Sequence, residues 1–168
     1  MVEVRKASIM SSDAAQLILE LSEELKRITE NSGRSSFQFN AMENQRAAFF
    51  IAYLDGKVVG CGAVQEYTSD IAEIKRMYSR KSGIGIGRAI IVALENEARR
   101  LGYNSIILET RKVNRTAVSF YLNNGYQICD NYGKYIGRDE AICFIKNIQQ
   151  IPFNQEDLDN GETNVDLH

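Results

Sequence analysis

The chain has 168 residues, of which 44% are hydrophobic and 25% charged, a composition typical of a soluble globular protein. Its net charge is −2, so no overall basic field attracts nucleic acid, and we expect neither a nucleic-acid partner nor a membrane partner. The only histidine is His168, the last residue, which excludes histidine-based catalytic triads and histidine-built metal sites inside the fold.

The three cysteines, Cys61, Cys129 and Cys143, stand in apolar, strand-like contexts, and none belongs to a CxxC pair. An odd number of cysteines argues against a disulfide framework. We therefore expect buried thiols in a reducing cytoplasm. The N-terminus lacks the apolar run of a signal peptide, and no stretch approaches the ~20 apolar residues of a membrane-spanning helix.

The chain opens with a predicted strand at residues 2–5, followed by an amphipathic helix. Apolar residues recur at helical spacing from Leu17 to Ile28 with charged side chains between them, and residues 31–33 end the helix. A second short helix is predicted at residues 41–47.

A β-hairpin and a further strand follow. Asp55-Gly56 favours a tight turn between the apolar runs at residues 49–54 and 58–65. In the next strand, residues 71–78, both alternating sets of positions contain charged side chains, so at least one of its faces is not simply core.

The second half of the chain alternates helices with strands. A glycine-rich loop at residues 82–87 leads into a helix at 88–101, an apolar strand follows at 105–108, and Asn114 can cap another short helix. Two closing strands are predicted at residues 126–130 and 141–148. This order predicts an α/β fold of mixed α+β type, a mixed sheet with helices on both faces.

The domain organisation follows from charge. Residues 1–151 are predicted to form a single domain. Residues 152–168 carry carboxylates but no lysine or arginine, and are predicted to form an acidic C-terminal tail.

The strongest local signal is the loop at residues 80–88, RKSGIGIGR, between a strand and a helix. Its glycines let backbone N–H groups approach a ligand, and the helix N-terminus adds partial positive charge, which is typical of a site for phosphate or pyrophosphate. A Walker loop is excluded because Gly-Lys-Ser/Thr is missing. The glycine spacing disfavours a dinucleotide fingerprint, although Glu109 imitates its ribose-binding acid.

Two motifs make the chain resemble the GNAT superfamily of N-acetyltransferases. Arg80, Gly83 and Gly85 fit the Q/R-x-x-G-x-G/A signature, which cradles the pyrophosphate of acetyl coenzyme A. The family's pattern N-x-x-A-x-x-x-Y-x-x-x-G-F/Y is matched at Asn114, Ala117, Tyr121, Gly125 and Tyr126. The resemblance covers about residues 2–148 and implies a mostly antiparallel, twisted sheet of six to seven strands. A second glycine register, Ser82 to Gly87, stays open.

The resemblance implies direct transfer of acetyl from acetyl coenzyme A to a primary amine of a small molecule or peptide, without a metal. Tyr121 is the implied general acid for the departing thiolate, and Glu73 is the candidate base, with Glu66 as its rival. Asn114 is explained equally by helix capping. The implied cofactor-binding residues are Met77, Tyr78, Arg80, Gly83, Ile84, Gly85, Ile86, Gly87, Arg88, Asn114, Ala117 and Tyr121.

The implied acceptor groove lies between the first helices and the loop that joins the last two strands. Arg34 and Phe37 in the first segment, with Tyr132, Tyr135 and Arg138 in the second, would suit a small acceptor bearing a carboxylate or phosphate beside its amine. Two other functions stay open, a coenzyme A-binding or sensor module without turnover and a nucleotide-dependent oxidoreductase. A homodimer is also left open.

Overall fold

A computed structural model describes residues 1–29 and 45–149. In chain order the elements are β1 (Val2–Ala7), α1 (Ser12–Thr29), β2 (Ala48–Leu54), β3 (Lys57–Glu66), β4 (Ile71–Ser79), α2 (Ile86–Arg100), β5 (Ser105–Arg111), α3 (Arg115–Asn123), β6 (Gln127–Cys129) and β7 (Ala141–Asn147). A short 3-10 turn, Gly133–Tyr135, lies between the last two strands. None of the helices within these two ranges has the length and apolarity that a membrane-spanning helix needs.

The strands form one sheet in the order β1-β2-β3-β4-β5-β7-β6. Only β4 and β5 pair in parallel, and the other five pairs are antiparallel. The parallel pair is possible because α2 provides the crossover between β4 and β5. The predicted fold class, a mixed and mostly antiparallel sheet, is confirmed.

Helices cover both faces of the sheet, as predicted. On one face, apolar residues of α2 such as Ile90 and Leu94 pack with Phe144 of β7, and α3 adds to the same cluster. On the other face, Leu17 of α1 packs with Phe49 of β2. Each fully buried side chain of this size contributes about 1.5–3 kcal/mol. Because alternate side chains of a strand point to opposite faces of the sheet, the protein has one apolar core on each face.

The parallel strands β4 and β5 pair only at their beginnings. Residues 71–73 face residues 105–107, although β4 continues to Ser79 and β5 to Arg111. A β-bulge in β4 lies just beyond the paired part, where Arg76 takes a φ of 56°. A bulge bends a strand and increases its twist. The two strands therefore part in the middle of the sheet.

The structure corrects three predicted boundaries. Helix α2 begins at Ile86, two residues earlier than expected, because Gly85 with a φ of 85° precedes its first turn. Strand β6 is shorter than 126–130, since the Tyr126 N–H donates to the Tyr121 carbonyl and so belongs to the end of α3. Residues 45 and 46 form a turn and residue 47 is not helical, while residues 41–44 of the predicted second helix lie outside the described residues.

Two further expectations concern the cysteines and the tail. All three cysteines are free, and Cys61 and Cys143 are buried as predicted. Cys129 is only partly buried, because β6 is the last strand of the sheet. The predicted tail lies outside the described residues, so the domain boundary stays a prediction.

Candidate active site

The glycine loop after β4 has a backbone that only glycine adopts without strain. Gly83 and Gly85 have φ values of 80° and 85°. A Cβ atom added at either position would meet none of the described atoms within 4 Å. The backbone on this side of the loop is therefore open to a ligand. Both predicted registers contain Gly83 and Gly85, so the choice between them stays a prediction.

Gly87 has a packing role in addition to the cofactor contact predicted for it, which stays a prediction. It lies inside α2, and a Cβ atom there would sit 3.0 Å from the Phe120 ring of α3. Gly87 thus allows α2 and α3 to pack closely, which is a structural reason for the third glycine. Its backbone N–H still belongs to the first turn of α2.

The N-terminus of α2 directly follows the glycine loop, and its first N–H groups have no partner within the helix. The first intrahelical bond runs from the Ala89 N–H to the Gly85 carbonyl at 3.0 Å, so the N–H groups of residues 86–88 precede it. Ile86 is 1% exposed, so its side chain is packed in the core and cannot contact a ligand in solvent. The Arg88 guanidinium is exposed and donates to Asn124 Oδ1 at 2.9 Å. Such a helix end attracts anions.

The Arg80 side chain points away from the role that the motif implies. Its Nε and Nη2 atoms donate to the two carboxylate oxygens of Glu20 in α1, at 2.9 and 2.6 Å, and Nη1 donates to the Val58 carbonyl at 2.7 Å. The Tyr78 hydroxyl also bonds to Glu20, and burial together with this charge raises the Tyr78 pKa. Arg80 therefore holds the loop against α1 and β3.

The bulge in β4 separates the two predicted cofactor contacts Met77 and Tyr78 from the first half of the strand. Across β3, Tyr78 faces Cys61 whereas Lys75 faces Ala63, so two residues of β4 oppose Gly62. A Cβ atom at Gly62 would lie 2.8 Å from the Met77 sulfur. A bulge interrupts the ladder of backbone hydrogen bonds. It brings Met77 and Tyr78 to the edge of the gap between β4 and β5.

Tyr121, the predicted general acid, lies in α3 and is 6% exposed. Its ring packs against those of Phe120, Tyr126 and Phe144, with centroids 5.3 to 5.7 Å apart. Burial, and then the charge of Glu109, raise the pKa of Tyr121. Tyr121 is therefore a protonated phenol at neutral pH.

Asn114 caps the helix that carries Tyr121. Its side-chain oxygen accepts a hydrogen bond from the Ala117 N–H at 3.3 Å. The capping explanation for Asn114 is confirmed. Contact of either residue with a cofactor stays a prediction.

Glu73, the predicted base, is buried in a network with the two predicted acceptor tyrosines. The Tyr132 hydroxyl donates to Glu73 Oε2 at 2.5 Å, and Gln65 Nε2 donates to Oε1 at 3.3 Å. Lys75 Nζ lies 3.4 Å from Glu73 and donates to the Tyr135 hydroxyl at 2.9 Å. The loop between β6 and β7 is thus bound to β4 at the start of the gap.

Glu109 and Arg111 of β5 form a buried charged pair near this network, and the sequence did not predict either residue for it. The Glu109 side chain is 10% exposed, and its Oε1 atom lies 3.2 Å from Arg111 Nη1. Neither atom makes a hydrogen bond of good geometry within the described part of the chain. Burial raises the Glu109 pKa, outweighing the opposing attraction of Arg111 and Lys75. Charged residues two apart in a strand with an apolar beginning were the available signal.

The remaining candidates are not brought together with this network. Arg138 is exposed and lines an open cavity of about 320 Å³ beside β6. Glu66, the rival base, accepts a hydrogen bond from Arg46 Nη1 at 2.7 Å. Arg34 and Phe37 lie outside the described residues.

Comparison with known proteins identifies the family. The profile of the Acetyltransferase (GNAT) family matches residues 15–126, well over half of the chain. An IAA acetyltransferase from Azospirillum brasilense is 28% identical over 148 residues, which span 86% of this chain and 96% of that protein.

Two solved structures share the fold. An acetyltransferase from Streptococcus agalactiae has a TM-score of 0.72 at 19% identity and covers 87% of this chain and 98% of its own. PaiA N-acetyltransferase from Thermoplasma acidophilum, in complex with coenzyme A, has a TM-score of 0.69 at 21% identity and covers 88% and 99%. With the profile match, these findings establish that the chain is an acyltransferase of the GNAT family.

Proposed function

We propose that this protein transfers the acetyl group of acetyl coenzyme A to a primary amine of a small molecule or peptide, by direct attack in a ternary complex. One observation carries the proposal: β4 and β5 part between the open glycine loop and a buried cluster of acid and base groups. The coenzyme A complex of the Thermoplasma relative supports the choice of donor.

The chain offers distinct groups for the parts of the donor. The N–H groups of residues 84–88, at the open side of the loop and the first turn of α2, would bind the pyrophosphate. Arg88 adds a full positive charge nearby. The acyl-bearing arm would lie in the gap beside Met77 and Tyr78, with Asn114 and Ala117 on its other side. Acetyl coenzyme A supplies the activated thioester.

Two buried carboxylates compete for the role of base that removes a proton from the acceptor ammonium. Glu73 already accepts hydrogen bonds from Tyr132 and Gln65 and pairs with Lys75, so its oxygens are largely occupied. Glu109 has a raised pKa and an oxygen without a hydrogen-bond partner in the described residues. A base with a raised pKa suits catalysis near neutral pH. We therefore assign the base to Glu109 and a positioning role to Glu73.

Tyr121 is proposed as the acid. Its raised pKa keeps the phenol protonated until the coenzyme A thiolate leaves. In the balanced reaction, the ammonium first gives one proton to the carboxylate, and the amine then forms the C–N bond. When the C–S bond breaks, Tyr121 protonates sulfur and regains a proton from the acetylated nitrogen.

The test combines binding with turnover. In calorimetry with acetyl coenzyme A, NAD and ATP, we expect acetyl coenzyme A to bind and NAD and ATP not to bind. Release of the coenzyme A thiol, measured over a panel of amines, is expected to identify an acceptor. Binding of acetyl coenzyme A without thiol release from any amine would favour the sensor function instead. Binding of NAD or ATP in its place would contradict the proposed donor. The cytoplasmic location and the homodimer stay predictions.

A further inference from the structure

Cys129 and Cys143 are direct neighbours across two antiparallel strands. They face each other in the register of β6 and β7. Facing residues in such a pair have Cα atoms about 4.5–5.5 Å apart, within the range of about 4.4–6.8 Å that a disulfide spans. Both side chains belong to one small cluster with Tyr132 and Tyr135, so they lie on the same face of the sheet.

The two thiols differ in access. Cys129 is partly exposed and lines the open cavity of about 320 Å³ beside β6, whereas Cys143 is 0% exposed. A reagent in solvent therefore reacts with Cys129 first. The buried Cys143 is then placed to attack the Cys129 sulfur from the protein interior. The third thiol, Cys61, faces Ile51 and Tyr78 on its neighbouring strands and donates to the Arg76 carbonyl at 3.3 Å.

We propose that Cys129 and Cys143 form a reversible disulfide when the protein meets a small-molecule disulfide, and that this bond slows acetyl transfer. The Cys129 thiolate attacks the reagent, forming a mixed disulfide and releasing one reagent thiol. The Cys143 thiolate then attacks the Cys129 sulfur and releases the second reagent thiol. Two S–H bonds are lost and one S–S bond forms, while the reagent takes up two electrons and two protons.

The effect on activity rests on the proposed function and on Tyr132. The Tyr132 backbone N–H bonds to the Cys143 sulfur, and its hydroxyl donates to Glu73 at 2.5 Å. Cys143 also faces Glu109 in the register of β5 and β7. When the Cys143 sulfur turns to Cys129, it gives up the Tyr132 N–H. The loop between β6 and β7, which holds Glu73 through the Tyr132 hydroxyl, thereby shifts away from Glu73.

The raised pKa values of the thiols and the nature of disulfide exchange predict a reaction that is slow and reversible. Burial raises the pKa of both thiols, so few thiolates are present at neutral pH and exchange takes time. Thiol–disulfide exchange runs in both directions, and an excess of a reducing dithiol drives it toward the free thiols. Dithiothreitol is therefore expected to restore the original protein.

The experiment follows the thiols independently of activity. The full chain is incubated with oxidised glutathione, unfolded under acid quench, and examined by thiol titration and peptide mass. We expect the number of free thiols to fall from three to one and a linked pair of peptides carrying Cys129 and Cys143. We expect kcat to fall about tenfold, equal to about 1.4 kcal/mol and close to the value of one hydrogen bond to a charged group.

Cys129→Ser is the matched control, because it removes a partly exposed thiol outside the proposed machinery. Its activity should equal that of the reduced parent and resist oxidised glutathione. An unchanged count of three thiols, a stable glutathione adduct on Cys129, or equal inactivation of Cys129→Ser would overturn the proposal. If no amine supports turnover, the proposed function fails, while the peptide linkage still decides whether the disulfide forms.

Discussion

Glu20 of α1 and Arg80 at the start of the glycine loop are joined by two hydrogen bonds of 2.9 and 2.6 Å. The pair connects the helix on one face of the sheet to the loop that leads into the helix on the other face. Both side chains are about 30% exposed, so the pair is partly shielded from solvent. The motif arginine thus supports the loop from behind.

Glu20→Gln is expected to weaken acetyl coenzyme A binding. The loss of a partly exposed ion pair costs ~0.2–1 kcal/mol, which corresponds to a roughly 1.4- to fivefold rise in Kd measured by calorimetry. Arg80→Lys should have a similar effect, because lysine cannot bond both carboxylate oxygens in the same way. Tighter binding by Glu20→Gln would mean instead that a released Arg80 reaches the phosphates.

Gly85→Val is expected to abolish detectable binding of acetyl coenzyme A. A branched side chain would strain the backbone at a φ of 85° and occupy the open side of the loop. Gly56→Val is the control, since Gly56 also has a positive φ, 79°, and open surroundings but lies in the hairpin between β2 and β3. Both variants should lose similar thermal stability, and only Gly85→Val should lose binding in calorimetry.

Tyr121→Phe is expected to lower kcat about 100-fold, the size of a typical general-acid contribution, with little change in the Kd of acetyl coenzyme A. Tyr126→Phe is the control, because Tyr126 packs on Tyr121 and its buried hydroxyl has no hydrogen-bond partner among the described residues. In steady-state kinetics, the kcat of Tyr126→Phe should be close to that of the parent protein. Equal loss in both variants would point to ring packing rather than proton transfer.

The pH dependence of kcat/KM is expected to distinguish the two carboxylates. A base must be deprotonated, so activity falls as the pH drops through its pKa, and the raised pKa of Glu109 moves this fall to higher pH than for an ordinary carboxyl group. Glu109→Gln should remove the acidic limb together with most activity. Glu73→Gln should lower kcat but keep the limb. The reverse pattern would return the role of base to Glu73.

Glu97 of α2 is expected to make stability depend on acid pH. Its carboxylate accepts bonds from Arg100 at 2.6 and 3.1 Å and from Lys6 at 2.8 Å, which lower its pKa to about 2. This stabilisation is complete above the ordinary carboxyl pKa of the unfolded chain and disappears as the pH falls to about 2.

The measurement is denaturant unfolding of Glu97→Gln at several pH values. Because Arg100 and Lys6 are more than half exposed, screening reduces the expected loss at neutral pH to about 1 kcal/mol. The loss should vanish near pH 2. Glu24→Gln, which breaks an exposed pair with Arg27, should change nothing measurable. A loss independent of pH would assign the effect to packing.

Local sequence patterns determined the elements and the loop of this protein. Apolar runs predicted β2, β3 and β5, helical spacing predicted α1 and α2, Asp55-Gly56 closed a hairpin, and the glycines before α2 have positive φ. These features depend on interactions within a few residues of chain, which the sequence displays directly.

Tertiary structure decided which side chains meet. Glu20 and Arg80 are 60 residues apart in sequence, and Glu73 and Tyr132 are 59 apart. Gly87 serves helix packing only because Phe120 lies against it, and Cys129 faces Cys143 only through the order of the last strands. Long side chains choose partners after the sheet and helices have assembled, and no local pattern encodes that choice, because it depends on packing between distant segments.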